Sequence, residues 1–98
     1  MILQGSFSFD PDERNQFLET RIEAMRSSRQ EDGCLEYVIS ADPLEPDRAV
    51  MSERWESMDH LQQHLARQRD AAPSAHVGPV PRNVAITVFE VASSRPLS

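Results

Sequence analysis

The order in which apolar periodicity changes along the chain leaves few folds open to it. Leu3, Gly5, Phe7 and Phe9 alternate with Gln4, Ser6 and Ser8, the two-residue period of a half-buried strand. Phe17, Leu18, Ile22 and Met25 then recur at helical spacing and predict a helix over residues 11–29. Asp10 stands at its N-cap position, Pro11 opens it, and Glu13 completes a capping-box pattern. Gly33, just beyond a polar stretch, stops it. Alternation returns over residues 34–41, with Leu35, Tyr37, Ile39 and Ala41 on one side and Cys34, Glu36, Val38 and Ser40 on the other. Pro43 and Pro46, flanked by Asp42 and Asp47, form a turn. A third strand over 48–56 carries Ala49, Met51, Glu53 and Trp55 on one face, so strands two and three make a hairpin. Ser57 caps a second helix over 58–70, whose face reads Met58, Leu61, Leu65 and Ala72. Pro73, Pro79, Pro81 and Gly78 make 71–82 a loop or lid. Residues 83–91 alternate again as a fourth strand.

Strand, helix, strand, strand, helix, strand is the split βαβ, ferredoxin-like arrangement: an α+β domain with an antiparallel sheet. The chain has 98 residues, enough for one core. Residues 1–91 make that domain and 92–98 a loosely held tail. The helices cover one sheet face, while the other also carries apolar residues from every strand. A homodimer packed sheet against sheet, a dimeric α+β barrel, supplies the missing cover.

Charge and composition exclude several functions. The net charge of −6 is the wrong sign for a non-specific nucleic-acid or anionic-membrane binder. No apolar run approaches the roughly 20 residues that cross a bilayer, and residues 1–10 have no basic n-region or cleavage site. The single cysteine, Cys34, forms no internal disulfide, which fits a reducing compartment and a cytoplasmic location. All ten basic residues are Arg, so Schiff-base and P-loop lysine chemistry are excluded. His60 and His64 are four apart but lack a flanking HExxH, and no set of four metal ligands stands at regular spacing.

Two stretches carry a resemblance: Glu31-Asp32-Gly33-Cys34-Leu35-Glu36-Tyr37, and Glu53-Arg54-Trp55-Glu56-Ser57-Met58 running on to His60, Leu61 and His64. Their order and spacing resemble the antibiotic biosynthesis monooxygenase superfamily, which includes small quinol monooxygenases. The likeness covers residues 2–65 well and the last strand loosely. It implies a ferredoxin-like dimer with a ligand cavity between sheet and helices. It also implies oxidation of a quinol, polyphenol or aromatic polyketide with O₂ and no metal, flavin or other cofactor. Such a site binds a small aromatic molecule, favours its deprotonated form and admits O₂. The alternatives are a dimeric aromatic-ligand-binding or stress-related module without turnover, and an isomerase-like relative using His64 for proton transfer.

The catalytic candidates are His64 and Trp55. His64 matches the second-helix histidine of the quinol monooxygenase-like members and lies at the edge of the Leu61/Leu65 face; an ordinary imidazole, titrating near pH ~6.5, suits a general base. Trp55 matches the cavity tryptophan of the E-x-W motif, able to stack on a ring or donate its N–H, or simply to close the hairpin. Substrate contacts are assigned to Arg21, Tyr37, Met51 and Leu61. Arg21 falls within the apolar arc of the first helix, where it snorkels, pairs (with Glu53, for example) or holds a substrate oxygen. Met51 and Leu61 stand where anthrone-type oxygenases carry asparagine and tyrosine, which argues against that mechanism. Arg67-Gln68-Arg69-Asp70 replaces a Pro-His pair, and His64 stands where the haem-degrading branch has tryptophan. His60 is expected in solvent, His76 in the lid loop, Cys34 in packing, and Asn83 in a turn.

Overall fold

Among the residues the computed structural model describes, 1–75 and 78–98, four strands and three helices follow one another. They are β1 (Ile2–Ser8), α1 (Pro11–Thr20), α2 (Ile22–Ser28), β2 (Cys34–Ala41), β3 (Arg48–Trp55), α3 (Met58–Ala75) and β4 (Asn83–Phe89). The strands lie in the order β2-β3-β1-β4, every neighbouring pair antiparallel. That is the ferredoxin-like α+β arrangement the periodicities imply.

Register decides which side chains meet. Leu3 lies between Glu53 and Val88, Gly5 between Met51 and Ile86, and Phe7 between Ala49 and Val84. Tyr37 and Ile39 pair with Glu53 and Met51. Paired residues share a face, so one face gathers Leu3, Phe7, Tyr37, Ile39, Ala49 and Met51, all buried under the helices. Phe17 locks α1 onto this face, its ring 5.6 Å from Phe7 and 4.6 Å from Phe9. A β-carbon on Gly5 would meet Ile86 Cγ1 at 2.9 Å, so glycine there lets β4 lie close.

The expected single helix over 11–29 is broken at Arg21. Thr20 Oγ1 donates to the Phe17 carbonyl at 2.6 Å, and Arg21 N bonds the Leu18 carbonyl, three residues back, at 3.1 Å. This tightened turn redirects α2 toward the free edge of β2. There Arg29 Nε donates to the Tyr37 carbonyl at 2.8 Å and Met25 Sδ accepts from Ile39 N at 3.3 Å, closing an edge open to pairing. Ile22, placed by spacing on the inner face, is exposed as a result. Pro11 does open α1, but Asp10 makes no side-chain cap; its carboxylate meets Arg82 Nη2 at 2.6 Å instead.

Three further expectations change. A bulge between Cys34 and Glu36 sets Cys34 against Trp55, and turns Leu35 out to 53% exposure. The second helix runs through Pro73 to Ala75 rather than ending at Asp70, so the expected loop begins later; Ala71 and Ala72 are strong helix formers on the way. The sheet face away from the helices is mixed rather than apolar: Ile2, Val38 and Val50 lie among Gln4, Ser6, Ser52, Glu36 and Arg54. All of β4 is exposed on both faces; among the described residues no helix packs closely over it. Residues 90–98 form no regular element.

Candidate functional site

Where β3 hands over to α3, the chain brings together residues that lie far apart in sequence. Trp55, the last residue of β3, is 1% exposed, and Met1 holds it from across the sheet through Trp55 N to the Met1 carbonyl at 2.9 Å. Ser57 Oγ accepts from His60 N at 3.2 Å, starting α3 with a side-chain cap. One turn into α3, Leu61 and His64 point at the sheet, each 1% exposed. Leu65, expected beside Leu61, is 44% exposed. His64 is therefore central to the buried face of α3, not at its edge.

The imidazole is enclosed on all sides. Its ring centroid lies 4.7 Å from Trp55 at an interplanar angle of 32°, and 5.4 Å from Tyr37 edge-on at 64°. Nδ1 is 2.9 Å from Glu31 Oε2, contributed by the turn before β2. The other oxygen of Glu31 accepts from Arg67 Nη1, one turn further along α3. Nε2 lies 3.9 Å from Glu53 Oε1 and is the one buried side-chain polar atom without a hydrogen-bond partner among the described residues. A buried polar atom left unpaired is costly, by about 1–3 kcal/mol, unless something else satisfies it.

Glu53 is 3% exposed on the inner face of β3, and its Oε1 accepts from Trp55 Nε1 at 3.0 Å. Burial pushes its carboxyl above the ordinary range, against the opposing pull of the indole N–H and His64. Tyr37 is 3% exposed, and Gln68 Nε2 donates to its hydroxyl at 3.4 Å. Burial, and then the negative charge of Glu53, raise the Tyr37 phenol to about 12.

Of the residues assigned from sequence, His64, Trp55, Tyr37 and Leu61 come together here, and Met51 lies on the same face beside Glu53's strand neighbours. Arg21 does not pair with Glu53: its guanidinium lies over the Phe17 ring at 5.5 Å and its Nε donates to Thr20 Oγ1 at 3.2 Å. The indole N–H of Trp55, weighed as a donor to substrate, is engaged by Glu53. His60 is not in open solvent. Its Nδ1 is 2.7 Å from Ser57 Oγ, its Nε2 is 3.4 Å from Asp32, and the ring covers Gly33. Cys34 packs against the core, and burial raises its thiol pKa. Asn83 opens β4. His76 lies outside the described residues. Glu31 was missed as a site residue, although it opens the Glu-Asp-Gly-Cys motif; Gln68 left no signal. Among the described residues no cluster of three or more His, Cys, Asp or Glu could hold a metal ion.

The family model of the antibiotic biosynthesis monooxygenases matches residues 1–71. The chain belongs to that family. No curated protein matches its sequence. Several solved structures share its fold. A Deinococcus radiodurans protein provisionally named an antibiotic biosynthesis monooxygenase is 22% identical, with a TM-score of 0.77 over 99% of this chain and 97% of its own. A Pseudomonas aeruginosa protein is 24% identical, with a TM-score of 0.66 over 93% of each chain. A Mycobacterium tuberculosis protein is 22% identical, with a TM-score of 0.65 over 94% and 97%. At these identities the likeness establishes the fold. The family match spans every residue of the His64 cluster, from Glu31 to Gln68, and ends before β4.

Proposed function

We propose that this antibiotic biosynthesis monooxygenase family member oxidises a quinol, polyphenol or aromatic polyketide with O₂, without metal or flavin, at the His64 cluster. The observation that carries the reading is the unpartnered, fully buried Nε2 of His64, flanked by the Trp55 and Tyr37 rings. An acceptor atom in a dry aromatic enclosure suits removal of a phenolic proton. The resulting phenolate is electron-rich enough to reduce O₂ directly. One oxygen atom is bonded to a ring carbon, the substrate loses two hydrogens in all, and the other oxygen leaves with them as water. The substrate supplies all four electrons, so no external reductant is required. In this reading His64 is the general base, Trp55 stacks on the substrate ring, and Met51 and Leu61 supply apolar walls. Tyr37 packs edge-on against the imidazole, and Arg21 stays at the periphery. Because Nε2 is closed off, substrate enters as the packing of α3 on the sheet loosens. A homodimer in the cytoplasm belongs to the same reading.

A non-catalytic aromatic-binding module is the second reading, favoured by the apolar Met51 and Leu61, both buried where polar contacts would assist turnover. Oxygen uptake by chelator-treated, flavin-free protein with anthrone and hydroquinone substrates separates the two. Uptake with one O₂ consumed per product supports the oxygenase. Tight ligand binding without uptake supports the module. Undiminished uptake in both His64→Ala and Trp55→Phe removes the assigned roles.

A further inference from the structure

We propose that Glu31, held by Arg67, is a positioning residue that keeps the proton of neutral His64 on Nδ1, so that the buried end of the site selects the hydroxyl form of an aromatic ligand over its carbonyl form. This rests on the reading of His64 as part of the ligand site. Glu31 divides its two oxygens between two partners: Oε2 lies 2.9 Å from His64 Nδ1, and Oε1 accepts from Arg67 Nη1. A carboxylate accepts and does not donate, so the imidazole must donate from Nδ1. Nε2 then carries a lone pair. In water the neutral ring prefers the opposite tautomer, with its proton on Nε2, and Glu31 reverses that preference.

The reversal fixes what the site can recognise. Nε2 and Glu53 Oε1, 3.9 Å apart, are both acceptors. The N–H groups recorded beside the cluster turn to other partners: Trp55 Nε1 to Glu53, Arg67 Nη1 to Glu31, and Gln68 Nε2 to the Tyr37 hydroxyl. Arg21 is turned to Phe17 and Thr20. A phenolic O–H placed between Nε2 and Oε1 satisfies an otherwise orphaned atom. A carbonyl oxygen there meets two acceptors and leaves Nε2 unpaired. Sites built to bond a substrate hydroxyl reject the analogue lacking it strongly. The same geometry would eject a carbonyl product formed at this point.

Glu31→Gln makes the inference sharp. Arg67 still donates to one oxygen, which orients the amide so that its NH₂ faces His64 Nδ1. The amide then donates, the ring proton moves to Nε2, and the wall gains a donor. Long-range ¹H–¹⁵N correlation spectra at about pH 8, above an ordinary imidazole pKa of ~6.5, read the tautomer directly. The expected result is Nδ1–H in the wild type and Nε2–H in E31Q. Anaerobic calorimetric titration with tetramethyl-hydroquinone and tetramethyl-benzoquinone, whose ring positions are blocked against the Cys34 thiol, reads the preference. The wild type is expected to favour the hydroquinone by roughly 100-fold or more, and E31Q to bring the two within about tenfold. An Nε2–H wild type overturns the proposal by itself, even if E31Q fails to fold. So does equal binding of the two forms, or no binding of either, by the wild type. Absence of O₂ uptake with tautomer and preference intact overturns the oxygenase reading alone.

Discussion

At the scale of the residue, the candidate site is a single imidazole with one carboxylate at Nδ1 and a second 3.9 Å from Nε2. Glu53 carries the charge that burial disfavours most clearly, since its carboxyl is raised. A raised carboxyl contributes stability that is present below its unfolded value of 4.5 and is lost as pH rises through the folded value. Glu53→Gln keeps the acceptor for Trp55 and removes that penalty. Its melting temperature at pH 7 is therefore expected to exceed that of the wild type, with the gain shrinking below pH 4.5. A lower melting temperature at pH 7 contradicts it. Tyr37 is the only tyrosine, so tyrosinate absorbance reports it alone. Its phenol should titrate near 12 in the folded chain and near 10 after unfolding, which makes stability fall as pH climbs from 10 to 12. A folded-state midpoint at 10 contradicts this. The inner-face positions of Tyr37, Glu53 and Trp55 were legible because strand alternation alone sets them. Glu31 was not, because its role depends on a helix that meets it 33 residues later.

Among the elements, α3 and the turn before β2 hold the site together. Gly33 has φ +80°, and a β-carbon there would stand 2.2 Å from His60 Cγ. Gly33→Ala combines backbone strain with a clash against the helix that carries His64. It is expected to lower stability by about 2–3 kcal/mol, measured by urea denaturation; a change under about 0.5 kcal/mol contradicts that contact. Leu61→Ala leaves a cavity beneath α3 and should cost about 2–5 kcal/mol. The number and order of the strands followed from periodicity, and so did the starts of α1 and α3. What the helical wheel could not give was the roll of α3. Leu61 and Leu65 define an apolar stripe in sequence, yet His64 turns inward to Glu31 and Leu65 stays 44% exposed. The break at Arg21 depends on Thr20 taking the Phe17 carbonyl, a local competition that spacing does not encode.

The whole molecule has one sheet face closed by helices, one mixed face, and an uncovered β4. Val84, Ile86 and Val88 face the helix side while 45–55% exposed, and Phe89 and Val91 are nearly as open. The outer face carries serines and charges among its apolar residues, so the demand for cover by a second copy rests chiefly on β4. The proposed homodimer is tested by solution mass at micromolar concentration; a mass near 11.1 kDa contradicts it. The charge of −6 says nothing about the site, where the local balance of Glu31, Glu53, Arg67 and His64 decides. No helix of the described residues is long and apolar enough to cross a membrane. The most direct measurement is O₂ uptake with an aromatic quinol by metal- and flavin-free wild type beside a folded His64→Gln variant. Removal of the acceptor at Nε2 should lower the turnover rate by roughly 100-fold or more while the melting temperature shows the variant still folded. Equal rates from the two proteins would contradict a role for His64 in taking the substrate proton.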